Sequence, residues 1–419
     1  MHPCYNRKTR TSSNGGEGVF HMSGTNSRLP VFLLSTGHFF NDFYCNFLPV
    51  LLPVIMPRLG LSLTMSGLLV MVLSITSNLL QPVFGFFMDK HNLNRLLLPV
   101  IPFGAFCICS IGYVGSAPVL FCLIALTGLS ISAFHPLGSA LVTRVSPPEK
   151  LGSSMSYYIA GGNVGFALAP LIIVAFIGTW PMEQLPWLIT PSLLLALLFY
   201  AKGLTRYSTI QKATPGQSPP LLSVLHSRSV LGLNLAMGLR GWAHFSASVF
   251  LPLLLIESGC SQLVSGLILT LFLAGCAVGG LVGGYLGDRF SHKKIIIYSL
   301  LLGIFPTAYF YCHPGAAPLS LAALFLAGAC LLAPQPSSIV WAQKLMPDNA
   351  AMASGMMMGF CFGIGSIGNV LTATLAEQIG LSTAMLLTAL PVAGSAFVAA
   401  LTKFPEQAGA ASKISSEAN

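Results

Sequence analysis

The chain has 419 residues, of which 54% are hydrophobic and only 7% are charged, and its mean hydropathy is +0.77. Soluble domains are roughly 45 to 50% apolar, so this composition argues against a soluble globular core. The content of 42 Gly and 28 Pro suits membrane helices. The formal net charge of +9 has to be explained by where the basic residues lie.

The first 28 residues are polar and weakly basic and contain no apolar signal-peptide region, so we expect a disordered tail and no cleaved leader. Apolar segments follow, each near the roughly 20 residues that cross a bilayer as a helix. They lie at 30–57, 62–88, 95–115, 117–143, 151–179, 185–202, 229–256, 262–287, 294–312, 317–343, 350–377 and 382–402. The segments are continuous and rich in Leu, without the alternating polarity of a β-barrel. We predict an all-α membrane protein with twelve transmembrane helices.

Basic residues distinguish the two sides of the predicted membrane. When successive loops are assigned to opposite sides, all of the 20 Lys and Arg residues fall on one side except Arg58 and the membrane-embedded Arg240. Cytoplasmic loops are enriched in Lys and Arg, so both termini are predicted to be cytoplasmic. The positive charge therefore reports topology, and no nucleic-acid partner is expected.

The sequence repeats at a spacing of about 200 residues, a length that matches six of the predicted helices. The echoes are Gly85, Asp89 and Lys90 with Gly284, Asp288 and Arg289, then His135-Pro136 with Gln335-Pro336, and Gly165 with Gly365. We predict six-helix bundles at 29–202 and 229–402, a cytoplasmic linker at 203–228 and a cytoplasmic tail at 403–419. Parallel halves of this kind place a substrate site at their interface near the bilayer midplane.

Two loop motifs carry the clearest part of the repeat. Residues 85–90, with Arg95 beyond them, and residues 284–289 resemble the paired loop signature of the major facilitator superfamily. We interpret Gly85, Asp89, Lys90, Arg95, Gly284, Asp288 and Arg289 as a gate. In it, glycine permits close helix approach, and each aspartate pairs with a basic residue or a helix end. The alternative is that these are ordinary loop charges that fix topology.

In a major facilitator, as the resemblance implies, the first, fourth, seventh and tenth helices line the central cavity. The embedded polar residues of this chain fall on those four helices: His38, Asn41, Asp42, His135, Arg240, His244 and Gln335. At about 1.5 Å per residue, Asp42 and Arg240 lie roughly 15 to 18 Å from the cytoplasmic end, so they could meet in one layer.

A charge kept at bilayer depth is a functional hypothesis by default. We predict Asp42 as the proton carrier, with His38 and His135 as alternatives or relays because histidine titrates near neutral pH. Arg240 offers a planar fork suited to a phosphonate, phosphate or carboxylate. Asn41, His244 and Gln335 complete the predicted substrate site. A static ion pair between Asp42 and Arg240 is the structural alternative.

Three stretches resemble the fosmidomycin resistance protein family of the major facilitators: residues 38–42, 134–139 and 161–170. The resemblance covers about 30–402 and implies drug efflux by proton antiport at the inner membrane. It also implies an antiporter motif in the fifth helix, at Gly161, Gly162, Asn163, Gly165 and Pro170. This form departs from the usual Gly-Pro order, and plain helix packing is the alternative.

We therefore predict a monomeric secondary exporter of an anionic or zwitterionic small molecule, driven by the proton motive force without another cofactor. The alternatives are a siderophore or metallophore exporter, an organic-anion importer, or a non-transporting receptor or scaffold. No enzyme activity is expected, and no Gly-Lys-Ser/Thr nucleotide-binding loop is present. Because no Cys/His spacing suits zinc, no metal site is predicted.

Overall fold

The computed structural model describes residues 28–61, 63–207 and 227–403. Within these ranges the chain is entirely helical, which confirms the predicted all-α class. The predicted tails at 1–28 and 403–419 and the linker at 203–228 lie mostly outside the described residues. The division into bundles at 29–202 and 229–402 stays a prediction.

Helices occur at all twelve predicted positions. In chain order, α1 to α12 span Arg28–Leu59, Leu68–Lys90, Val100–Tyr113, Ala117–Val145, Pro148–Thr179, Met182–Ala201, Arg228–Glu257, Val264–Arg289, His292–Cys312, Pro318–Leu345, Pro347–Ile379 and Leu381–Leu401. Among the described residues, eleven of these helices are long and apolar enough to cross a bilayer. The exception, α3, is shorter than its predicted segment because Asn94–Leu97 forms a separate 3-10 turn ahead of Pro99.

Several membrane helices are interrupted. The α-helical backbone of α1 covers Arg28–Cys45 and resumes at Phe47–Leu59 after Asn46. The Asn46 amide donates to the Phe166 carbonyl of α5 at 2.9 Å, so the break in α1 is held by a neighbouring helix. Helix α10 is likewise divided at Ala333, just before Pro334, because proline cannot donate to the preceding turn.

Packing repeats between the two halves of the chain. Helix α1 packs against α5, and its counterpart α7 packs against α11. The halves meet through two further pairs, α2 with α11 and α5 with α8. No comparably extended contact joins α1 to α7 in the described parts of the chain. The two central helices therefore belong to separate packing units.

Large apolar side chains on the outer faces, such as Leu171 and Phe305, are exposed, whereas the inward faces of α4, α10 and α11 are buried. This distribution suits a bundle whose outer surface contacts lipid, because lipid tails solvate apolar side chains as well as a protein core does.

Candidate functional site

A polar cluster occupies the inner face of α1. His38, Asn41 and Asp42 share one helix face, as their i, i+3, i+4 spacing predicts. The His38 Nε2 atom lies 3.2 Å from Asp42 Oδ2, and His135 Nε2 of α4 lies 3.4 Å from Asp42 Oδ1. The Asn41 amide donates to Asp42 Oδ1 at 3.1 Å and lies 3.4 Å from His135 Nε2. These four residues are named the Asp42 cluster below.

The other ring nitrogen of His38 is fixed by α5. His38 Nδ1 lies 2.7 Å from the Tyr158 carbonyl oxygen, and the two rings stack with centroids 4.2 Å apart. A carbonyl can only accept, so Nδ1 carries the hydrogen, and a neutral ring presents its Nε2 lone pair to Asp42. Two acceptors facing each other at 3.2 Å need a positive centre between them, which a proton or a metal ion supplies. Tyr158 was absent from the sequence prediction because its contact is made by its backbone carbonyl.

Small residues of α5 make room for the cluster. A Cβ placed on Gly162 would lie 2.5 Å from Asp42 Oδ2 and 2.6 Å from His38 Nε2. Gly161 and Gly165 let the backbone of α5 approach the carbonyls of Ser35 and Phe39 on α1. The predicted antiporter motif is thus the packing surface of α5 on α1. Its other members differ: Asn163 is exposed and Pro170 lies inside the helix.

The Asp42 cluster can also hold a metal ion by geometry. One ligand atom from each of His38, Asp42 and His135 lies within 4.8 Å of the others. The sequence prediction of no metal site considered only short spacings between ligands. His135 is 93 positions from Asp42, and only the packing of α4 on α1 joins them.

Arg240 belongs to a different network in α7. Its guanidinium is buried and donates to the Leu331 carbonyl of α10 and to the Cys361 sulfur of α11, each at 3.0 Å. Across the described residues, Asp42 forms no ion pair with Arg240. The predicted meeting of these two charges is therefore wrong for this conformation. Equal depth along two helices does not imply contact, and α1 and α7 do not pack together here.

Two further predicted substrate residues lie in the second half. His244 is half-buried in α7, with its Nδ1 3.8 Å from the Cys276 sulfur and its ring stacked on Phe272. Gln335 is half-buried next to the break in α10. Its backbone carbonyl accepts a hydrogen bond from the Ser338 hydroxyl at 2.7 Å. The predicted site is thus divided between the halves.

The first loop motif forms a contact between the halves. Asp89, at the end of α2, accepts hydrogen bonds from the backbone N–H groups of Ala351 at 2.9 Å and Met352 at 2.8 Å. Those groups belong to the first turn of the helix over Ala350–Ile379, whose N–H groups have no partner within the helix. A Cβ on Gly85 would lie 2.5 Å from the Met352 Cα, so this position needs glycine. We call this contact the Asp89 latch.

The second loop motif repeats the contact in the opposite direction. Asp288, at the end of α8, accepts from the backbone N–H groups of Gly152 at 2.6 Å and Ser153 at 2.7 Å, and from the Ser153 hydroxyl at 2.7 Å. The acceptor of these bonds lies in one half and the capped helix start in the other. Gly284 approaches the Gly152 carbonyl and the Ser156 hydroxyl too closely to carry a Cβ. We call this contact the Asp288 latch.

The basic residues of the motifs do not pair with these aspartates. The Lys90 ammonium lies 4.1 Å from the centre of the Phe86 ring, and the Arg289 guanidinium lies 4.6 Å from that of Tyr285. Arg95 is exposed within the 3-10 turn after α2. Each aspartate binds the proposed helix end, and Asp288 also interacts electrostatically with a basic residue outside the motifs, Lys344 of α10.

The sequence analysis did not predict one further contact between the halves. The Thr143 hydroxyl of α4 donates to Gln343 Oε1 of α10 at 2.7 Å, and Gln343 Nε2 donates to the Ser354 hydroxyl of α11 at 2.7 Å. Positions 143 and 343 stand at the repeat spacing, which is the signal that would have found them. With the two latches, this bond joins the halves at the end of the bundle where residues 85–95 and 284–294 lie, named the motif end below.

Comparison with known proteins adds independent information. The sequence model of the Major Facilitator Superfamily matches residues 34–367 and 233–418. Fosmidomycin resistance protein of Escherichia coli (strain K12) is 26% identical over 353 residues, which cover 82% of this chain and 86% of that protein. The uncharacterized MFS-type transporter YfnC of Bacillus subtilis (strain 168) is 28% identical over 390 residues, covering 90% and 94%. The crystal structure of FucP, a major facilitator transporter in the outward conformation, superimposes with a TM-score of 0.73 at 17% identity, covering 90% and 99%.

Proposed function

Since the chain belongs to the Major Facilitator Superfamily and is a multi-pass membrane transporter of a small molecule, we propose that it is a secondary exporter driven by proton antiport. The observation that carries the proposal is the Asp42 cluster. It is a carboxylate within 3.4 Å of two histidines, on a central helix of one half. Intramembrane carboxylate and histidine groups form proton relays in transporters.

Asp42 is the proposed proton carrier, and His38 and His135 are its relay partners. The Asp42 side chain is 18% exposed, whereas His38 is 2% exposed, so protons reach the cluster through the carboxylate. Titratable groups face Asp42 from three helices: His38 and Cys45 on α1, His135 on α4 and Tyr158 on α5. No charged amine or guanidinium contacts the cluster in the described residues, so its charge is free to change as it exchanges a proton.

Arg240 is the proposed anchor for the substrate. Its fork suits an anionic or zwitterionic molecule such as a phosphonate. A relative with 26% identity is named for resistance to fosmidomycin, which makes that compound the first to test. His244 and Gln335 lie in the same half, whereas Asn41 lies with Asp42, so bound substrate would bridge the two networks. The static Asp42–Arg240 pair receives no support from the contacts described above.

The latches support an alternating-access mechanism. Both join the halves at the motif end, so this conformation is closed there, and breaking them would open that end. The basic loop residues support a cytoplasmic location for the motif end and both chain termini, by the positive-inside bias. We accordingly place the protein in the inner membrane as a monomer, powered by the proton motive force.

Fosmidomycin tolerance and accumulation in cells test the proposal. Cells that lack their own exporter are transformed with the wild type, with Asp42→Asn, or with Glu257→Gln, an exposed acid at the end of α7. Membrane abundance is matched by immunoblotting. Wild type and Glu257→Gln should lower drug accumulation, and Asp42→Asn should not. Higher accumulation with the wild type than with empty vector would indicate import, and no change for a wide panel of anionic compounds would favour a non-transporting scaffold.

A further inference from the structure

The geometry points to a binding site for a divalent first-row transition cation, such as Zn²⁺ or Co²⁺, formed by His38 Nε2, Asp42 and His135 Nε2. Two imidazoles and one carboxylate are a ligand set that zinc and its neighbours accept, and three protein ligands leave a position open for water or a substrate group. The three ligands lie on α1 and α4, and binding of the ion does not depend on proton antiport.

The spacing of the ligand atoms fits such an ion. At metal–ligand distances of about 2.0 to 2.2 Å, two ligand atoms of a tetrahedral site lie roughly 3.3 to 3.6 Å apart. His38 Nε2 lies 3.2 Å from Asp42 Oδ2 and His135 Nε2 lies 3.4 Å from Asp42 Oδ1, so each histidine is near this range of one carboxylate oxygen, and one ligand atom from each of the three residues lies within 4.8 Å of the others. The two imidazole rings are nearly perpendicular, at 82°, with centroids 4.9 Å apart.

His38 has the outer contact that metal-ligating histidines show. Its Nδ1–H is used on the Tyr158 carbonyl at 2.7 Å, which orients Nε2 into the cluster and fixes the tautomer that binds metal. Within the described residues, His38 Nε2 is buried and has no hydrogen-bond partner of its own. A buried nitrogen left without a partner loses the solvation it had in water, and an ion in the cluster would restore that interaction.

Access is also present. Gly162 lets α5 pack directly against Asp42 Oδ2 and His38 Nε2, where a Cβ would clash, and the partly exposed Asp42 offers the way in. The Asn41 amide sits on the Asp42 Oδ1 side, 3.4 Å from His135 Nε2. Rotated by half a turn, that amide would present its oxygen at the coordination position that is otherwise open to water or a substrate group.

Cobalt binding to the full-length, untagged protein in detergent tests this inference. A polyhistidine tag is removed because it would bind the same ions. Addition of Co²⁺ should give the intense visible d–d absorption of a tetrahedral site, saturating at one ion per protein, and Zn²⁺ should displace it. Absence of this spectrum in the wild type would overturn the proposal.

Two glycine variants test whether the ion binds next to Gly162. Gly162→Ala keeps every ligand but places a methyl group about 2.5 Å from Asp42 Oδ2 and 2.6 Å from His38 Nε2, so these ligands must shift, and Co²⁺ affinity should fall at least about tenfold, as it does when groups around metal ligands are changed. Gly178→Ala, on the same helix with open space around it, should bind like the wild type. Unchanged binding in Gly162→Ala would place the ion elsewhere.

His135→Gln provides a second readout if Gly162→Ala elutes as an aggregate. This variant removes one ligand and should abolish the tetrahedral spectrum, and its retention would contradict the site. The measurement uses no proton gradient, and antiport can be measured with a chelator present. Failure of the metal site therefore leaves the proposed transport mechanism intact, and failure of antiport leaves the metal site intact.

Discussion

Asp42 is surrounded by polar groups within hydrogen-bonding or ion-pair distance of its carboxylate. Two histidines and one amide contact the carboxylate, whereas the arginine at similar depth makes its hydrogen bonds to α10 and α11. A permanent guanidinium against Asp42 would hold it ionised, because a nearby cation favours the charged form of a carboxylate. Separation of the two charges is therefore suited to a group that must gain and lose a proton in each cycle.

Arg240→Lys should destabilise the second half. The arginine fork reaches two acceptors on different helices, and a lysine cannot occupy both with the same geometry. Loss of one buried hydrogen bond to a charged group costs about 1 to 3 kcal/mol. The midpoint of thermal unfolding in detergent should fall by several degrees. The matched change Arg228→Lys, at the exposed start of α7, should leave it unaltered. Equal midpoints for the two variants would contradict this role.

Asp288→Asn should weaken its latch. Asparagine keeps one acceptor oxygen but loses the negative charge and the second acceptor opposite the first turn of α5. A carboxylate at a helix N-terminus contributes about 0.3 to 2 kcal/mol, so the open population should rise measurably. Spin labels at His91 and Phe290, both exposed at the motif end, report the distance between the halves. A distance distribution identical to that of the wild type would rule out a latch at Asp288.

Helix elements bring these side chains together. Helices α2 and α8 each end in an aspartate that caps the start of a helix in the opposite half, and glycine at the crossing allows that reach. The sequence predicted this arrangement well, because Gly and Asp recur four residues apart in both motifs and the repeat implies matching positions. It gave no means of choosing between a basic residue and a helix end as the partner, since the capped helix ends lie 262 and 136 residues from the aspartates along the chain.

Gly284→Ala should separate α5 from α8. The added methyl would meet the Ser156 hydroxyl and the Gly152 carbonyl, and overpacking of this kind costs about 1 to 3 kcal/mol. Gly280→Ala, one turn earlier on α8, meets only the Leu332 side chain at 4.0 Å and should be neutral. We expect transport to fall in the first variant alone, at equal membrane abundance. Similar transport by both would show that the crossing has more space than the structure indicates.

At the scale of the whole molecule, two pseudo-symmetric halves are joined at the motif end. The predicted helix count, helix order and repeat agree with the structure, because the length of an apolar segment and the spacing of a motif can be counted from the sequence alone. The contact of His135 with Asp42 and the separation of Asp42 from Arg240 could not be predicted from apolar length or motif spacing. Depth along a helix follows from residue count. Lateral distance depends on which helices pack together and on which conformation the halves adopt.

The two latches should contribute independently to closure. They lie on different helix pairs and share no residue, and distant sites without common partners usually add to within about 0.5 kcal/mol. The double variant Asp89→Asn/Asp288→Asn should therefore shift the closed-to-open free energy by the sum of the single shifts, measured with the same spin labels. A double variant no more open than either single variant would show that one latch alone holds the halves.

Proton antiport is energetically sufficient for export. One charge moved across a potential of about 100 mV provides roughly 2.3 kcal/mol, and each pH unit of gradient adds about 1.4 kcal/mol. Together they support a substrate gradient of several hundredfold, since about 1.4 kcal/mol corresponds to a factor of ten. No second energy source is needed to sustain such a gradient.

Proton movement in proteoliposomes is the measurement that decides whether Asp42 carries the proton. Vesicles with an imposed pH gradient and a metal chelator are challenged with fosmidomycin, and the internal pH is followed for the wild type, Asp42→Asn and Glu257→Gln. We expect a substrate-evoked proton flux in the wild type and in Glu257→Gln that is abolished in Asp42→Asn. A flux of equal size in Asp42→Asn would contradict the assignment of Asp42 as the proton carrier.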